Sequence, residues 1–311
     1  MRKFLPPAFV FFVLLLLLIQ PARYFSSVQK GTLLFASSVL PSMLPYFFFT
    51  KVLTGTGCVA SLASSVGKPV GRAYRSSPLV SYPLLMSLFS GYPVGARVLA
   101  DLYENKMLTG EEARRAASFC STSGSMFVLG SVGAAILQDA KAAVIILAAH
   151  YLGALLNGLL YRGKKKNSNP CVLLSPQSEN LLSEAMYQSV LSLALVGGFI
   201  ALSNLLGDVF FDLLTLVGLG NVITGKLPGA VLYSVFEVTR GCVEFAALGI
   251  KRIWTAAFCA FAVSFGGLSV ILQSIAFLGK AGLKPLKFLL MKATQALFSF
   301  VLCLGLGAAF L

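Results

Sequence analysis

Apolar runs recur along the chain at residues 4–19, 33–53, 79–92, 116–137, 142–161, 184–206, 209–225, 227–248, 254–278 and 288–310. Several reach the roughly 20 residues that a helix needs to cross a bilayer's hydrocarbon core. They are continuously apolar rather than alternating, which argues for helices and against a β-barrel. The pattern predicts an all-α fold, a polytopic membrane helix bundle. In the second run Pro41 and Pro45 are expected to kink the helix. Run 4–19 is preceded by Arg2 and Lys3, and Gln20-Pro21-Ala22-Arg23 makes a poor cleavage site, so an uncleaved first helix is expected.

Not every run is a clean span. The segment 79–92 is too short and ends in Ser90-Gly91-Tyr92-Pro93-Val94-Gly95, and 227–248 is interrupted around Glu237. Short apolar segments broken by Gly or Pro mark re-entrant hairpins or discontinuous helices. Residues 98–115 are charged and read as an interfacial helical connection. A polar loop opened by Arg162-Gly163-Lys164-Lys165-Lys166 divides the chain near its middle. The expected organisation is an N-terminal transmembrane helix and connection over 1–30, a first repeat over 31–161, a basic cytoplasmic linker over 162–183 and a second repeat over 184–311. Placing the lysine-rich loop in the cytoplasm puts most basic residues on that face, as the positive-inside rule asks. The two repeats then have opposite orientation, each with a broken or re-entrant segment, an architecture of many secondary transporters.

Composition sharpens this picture. Of 311 residues 57% are hydrophobic and 12% charged, about half the usual charged share of a soluble domain; the mean hydropathy is +0.84. The net charge of +14 lies beside apolar spans and belongs to no nucleic-acid-reading module, so no nucleic-acid partner is expected. Six scattered cysteines and one histidine make a metal site or disulfide framework an unpromising reading. No nucleophile–base spacing and no phosphate-binding loop is present, so nothing reads as an enzyme and no cofactor is implied.

The chemistry is expected where the breaks meet. Helix N-termini offer open N–H donors and partial positive charge, so the candidate substrate-binding residues are Ser90, Gly91, Tyr92, Pro93, Gly95 and Arg97 at the first break and Ser121, Thr122, Ser123 and Gly124 at the second. In the other half they are Glu237, Thr239, Arg240 and Gly241, then Ser264, Gly266, Gly267 and Gln273. Arg97 and Arg240 are the expected anion partners, Glu237 and Glu244 the coupling-ion candidates, with an Arg240–glutamate structural ion pair as the competing reading. The same glycines would also serve close helix packing. His150 reads as a helix–helix hydrogen bond, and Asp208 and Asp212 as solvated residues at a span end.

Ser90-Gly91-Tyr92-Pro93-Val94-Gly95-Ala96, Leu108-Thr109-Gly110-Glu111-Glu112-Ala113, Ser118-Phe119-Cys120-Ser121-Thr122-Ser123-Gly124, Phe236-Glu237-Val238-Thr239-Arg240-Gly241 and Ser264–Gln273 resemble, in order, the sporulation integral membrane protein family of the YlbJ type. That resemblance implies a gate-type domain like that of concentrative nucleoside transporters and spore-maturation proteins. It also implies a transporter acting during endospore formation, in the cell membrane or the membrane around the forespore, with dipicolinate as substrate. A small-molecule anion and the lipid bilayer are the expected partners, a homo-oligomer is left open, and a nucleoside carrier and a non-transporting spore-assembly scaffold are the alternatives.

Overall fold

A computed structural model of the chain describes residues 5–163 and 180–311. Arg2, Lys3, Lys164, Lys165, Lys166 and Cys171, with most of the expected 162–183 linker, lie outside the described residues. Among those described there is no strand, and five helices are long and apolar enough to cross a membrane by length and composition. The all-α membrane bundle read from the apolar runs is the fold observed.

The first half begins with α1 (Leu5–Ile19), then α2 (Pro21–Leu34), which continues through a π turn (Phe35–Val39) into α3 (Leu40–Gly55). The π turn falls just before Pro41. A proline removes one backbone donor and crowds the carbonyl four residues back, and a locally widened turn relieves both without ending the helix. Next come α4 (Cys58–Tyr74), α5 (Ser81–Ser90), α6 (Val94–Glu104), α7 (Gly110–Ala116), a π-helical segment (Phe127–Leu137) and α8 (Ala140–Leu160). The 116–137 run is therefore not one span: residues 117–124 are not helical and divide it.

The second half begins with α9 (Leu181–Leu216), followed by α10 (Gly220–Ile223), α11 (Leu227–Phe236), α12 (Val238–Ala247), α13 (Arg252–Phe265), α14 (Gly267–Leu278) and α15 (Pro285–Phe310). The runs 184–206 and 209–225 were expected as separate segments, yet α9 runs unbroken through Gly197, Gly198 and Gly207. The reason is packing. A Cβ on Gly197 would lie 2.8 Å from the Phe35 ring, and one on Gly31 2.9 Å from Ala201 Cα, so these glycines let α9 close onto α2 and α3.

The long helices α8, α13 and α15 pack together around a core that includes Ile146, Ala257, Val263 and Cys303. A second cluster joins α4–α7 to α14 and the start of α15 through Leu99, Phe119, Leu278 and Phe288. The outer surface is apolar: Leu152, Leu195, Leu290 and Val301 are all exposed, the reverse of a soluble protein. Polar groups are held inside, and each must find a partner. The Leu108–Ala113 motif illustrates this. Thr109 and Glu112 form a capping box at the start of α7, and the other oxygen of the buried Glu112 accepts the Ser77 amide at 3.0 Å. The acidic motif is thereby explained as a helix start tied to the preceding loop.

Candidate functional site

Two helical hairpins define the site. α5 folds back on α6 about Gly91-Tyr92-Pro93, and α11 folds back on α12 about Glu237. Both necks need small residues. A Cβ on Gly95 would sit 2.6 Å from Ser87 Cβ, and one on Gly241 2.5 Å from Ser234 Cα. A larger side chain at either glycine would force the two arms apart. The expected re-entrant segments are thus hairpins with serine–glycine necks.

Each hairpin tip rests on the broken helix of its own half. A Cβ on Gly91, at φ +73°, would lie 2.5 Å from the Gly124 nitrogen, and one on Gly267, at φ +69°, 3.0 Å from the Phe236 carbonyl oxygen. Only glycine combines such backbone contact with positive φ. The halves are also joined across the middle. The Tyr92 hydroxyl donates to the Val263 carbonyl at 3.1 Å. His150, fully buried in α8, accepts the Ser123 amide through Nε2 at 2.9 Å and faces the Ser264 hydroxyl through Nδ1 at 2.7 Å. With Nε2 accepting, the network assigns the proton to Nδ1. His150 therefore makes the interhelical hydrogen bonds expected of it, and it makes them to both breaks.

Between the tips lies a cavity of about 30 Å³ lined by Gly91, Tyr92, Ser123, Gly124, Glu237, Thr239 and Gln273 together with Met43, Phe127, Val196, Ile200, Val238, Ser269 and Val270. That volume holds about one water molecule. α6, the segment from residue 125, α12 and α14 all begin at these tips, so four sets of open backbone donors converge there. One set is already occupied by the protein's own carboxylate. Glu237, 1% exposed, caps α12 by accepting the Arg240 amide at 2.7 Å and the Thr239 hydroxyl at 3.0 Å. The hydroxyls of Ser90 and Ser121 are buried and make no hydrogen bond among the described residues.

The remaining candidates stand outside the cavity wall. Ser90, Pro93, Ser121, Gly266 and Gly267 belong to the tips and breaks, Gly95 and Gly241 to the necks. Thr122 donates to the Ser87 hydroxyl at 3.0 Å, and Ser264 is held by His150. Arg97 is exposed on α6. Arg240 points away into a separate cluster: its guanidinium pairs with Asp208 at 2.9 Å, donates to Asn204 Oδ1 at 2.6 Å, lies 3.7 Å from the Tyr233 ring centre and reaches Glu244 at 3.4 Å. Asp208 is 5% exposed, contrary to its expected solvation, because α9 extends past residue 206 and carries it inside. Asp212 is paired with Arg23. Neither arginine faces the cavity, and of the two coupling-ion candidates only Glu237 does.

One charged residue absent from the sequence candidates is present at the breaks. Lys292 in α15 is 1% exposed. Its ammonium donates to the Ser121 carbonyl and to Gln295 Oε1, each at 2.8 Å, and lies 5.8 Å from the centre of the Tyr92 ring. In sequence it follows Lys284 and Lys287 and reads as another residue flanking a span; only the packing of α15 against α8 and α13 carries it inward.

The chain is similar over most of its length to the sporulation integral membrane protein YlbJ of Bacillus subtilis (strain 168). The two are 26% identical over 330 aligned positions, covering 94% of this chain and 80% of the relative. No protein-family model matches the chain, and no solved structure does. In its ordered motifs, its membrane helices and an alignment that runs nearly end to end, the chain resembles the YlbJ-type sporulation integral membrane proteins.

Proposed function

We propose that the protein is a transporter that moves a small organic anion, dipicolinate, across a membrane during endospore formation by alternating access of two inverted repeats. The observation that carries this reading is the pairing of hairpin and broken helix in each half, tip against break, around one central cavity. Irregular backbone at membrane depth is tolerated where it lines a substrate path, and both halves bring theirs to the same place. The cavity's volume of about 30 Å³ is too small for an aromatic dianion, so this is an occluded arrangement. The substrate enters when one hairpin moves off its break. The substrate leaves chemically unchanged, and Glu237 in the wall is the candidate for coupling to a cation.

A second reading has its own support. Glu237 places a carboxylate in the cavity wall beside Thr239 and Gln273, a lining that suits a neutral, hydrogen-bonding ligand such as a nucleoside. Uptake by proteoliposomes separates the two. Saturable uptake of dipicolinate, uncompeted by uridine, is the expected result. Uptake of uridine alone would replace the anion reading, and uptake of neither would end the transport reading.

A further inference from the structure

We propose that Lys292 is the cationic group with which the bound anion pairs, the part that the sequence suggested for Arg97 and Arg240. The inference rests on the anion reading above and adds the binding group to it. An ammonium held in a membrane interior is costly unless it meets an anion. The buried carboxylates are matched: Asp208 has Arg240, Glu112 has Thr109 and Ser77, and Glu237 has a helix N-terminus. Lys292 has two neutral acceptors and, among the described residues, no carboxylate within ion-pair distance.

Its surroundings are a set of donors short of an acceptor. Because Lys292 donates to Gln295 Oε1, the amide orientation is fixed, and the buried Gln295 Nε2 is left without a partner. The buried Ser121 hydroxyl, on the residue whose carbonyl holds the ammonium, has none either. An unmet buried donor is expensive, and Lys292, Gln295 and Ser121 gather two of them around one cation. The oxygens of a carboxylate are acceptors of the kind that all three groups lack. Tyr92 connects this cluster to the cavity, since it lines the cavity and also lies against the ammonium. A carboxylate admitted past Tyr92 reaches Lys292 while the rest of the ligand occupies the opened cavity.

The test is the thermal stability of the detergent-purified full chain, titrated with dipicolinate, its neutral diamide, phthalate, benzoate and chloride. Wild type is expected to be stabilised by dipicolinate and not by the diamide. Lys292→Gln is expected to weaken that response at least tenfold, and Arg97→Ala to leave it unchanged. Gln295→Glu, which places a resident carboxylate beside the ammonium, is expected to raise the ligand-free melting temperature and lose the response by a similar factor. This second variant decides the matter if Lys292→Gln does not fold. If a different anion in the series gives the Lys292-dependent response, the inference stands and dipicolinate falls. If the responses of both variants match wild type, or no anion stabilises wild type, Lys292 is not the anion's partner.

Discussion

The carboxylate of Asp208 in α9 lies 2.9 Å from the guanidinium of Arg240 in α12, and both side chains are largely buried. This pair fastens the second hairpin to the long helix beside it. Removing one partner strands the other, and such losses cost about 3 kcal/mol or more. Arg240→Ala is therefore expected to lower the melting temperature of the purified protein markedly. The ligand affinity of whatever fraction folds should be unchanged. Normal stability combined with lost ligand binding would return Arg240 to the site.

The hairpin necks make a sharper prediction. Gly95→Ala meets both Ser87 and the Cys120 carbonyl, and Gly241→Ala meets Ser234. Overpacking of this kind costs about 1–3 kcal/mol. Gly198 is the control: it is exposed on α9 and a Cβ there would touch nothing within 4 Å. Gly198→Ala is expected to hold or slightly raise stability, as alanine favours a helix by up to about 1 kcal/mol over glycine. Melting curves of the three variants side by side check this, and equal effects would dismiss the packing account.

His150→Ala leaves the Ser123 amide and the Ser264 hydroxyl without the ring that joins them. The expected loss is about 1–3 kcal/mol, and hydrogen exchange should quicken at both breaks together. Faster exchange at one break alone would mean that His150 does not couple them.

Asp139, just before α8, is held below the usual carboxylate range chiefly by its hydrogen bond with Arg252, and it also caps α8 through the Ala142 amide at 3.0 Å. A depressed folded-state pKa gives stability that is fully present above the unfolded value of about 3.9 and is lost as pH falls through the folded one. Asp139→Asn keeps the cap and removes the ion pair. Wild type should exceed it by a constant, salt-sensitive margin above about pH 5, with the margin closing below pH of about 4. A margin that widens in acid would contradict the assignment.

Much of this arrangement is legible in the residues. The glycines and prolines near Gly91, Gly124, Glu237 and Gly266 mark the breaks because unbroken helices disfavour them, and cavity-lining residues come from each broken region. The charges were harder to read. Asp208 and Arg240 are separated by a whole helix and a turn, and their meeting depends on α9 continuing through glycines that elsewhere mean interruption. Lys292 looks like a flanking lysine because sequence spacing carries no information on which face of α15 is covered. Position along the chain identifies a break; only packing decides which charge reaches it.

The π turn at Phe35–Val39 governs the phase of the helix that contains it. The buried positions Tyr24, Ser27, Gly31, Val39, Met43, Phe47 and Thr50 must lie along one stripe over the 26 residues from first to last. At about 100° per residue a regular helix would leave Thr50 about 80° out of line with Tyr24. A π turn absorbs one extra residue locally and cancels nearly all of that offset. Losing a residue within this turn would preserve the facing of both ends, whereas losing one anywhere else between Tyr24 and Thr50 would swing half the stripe into lipid.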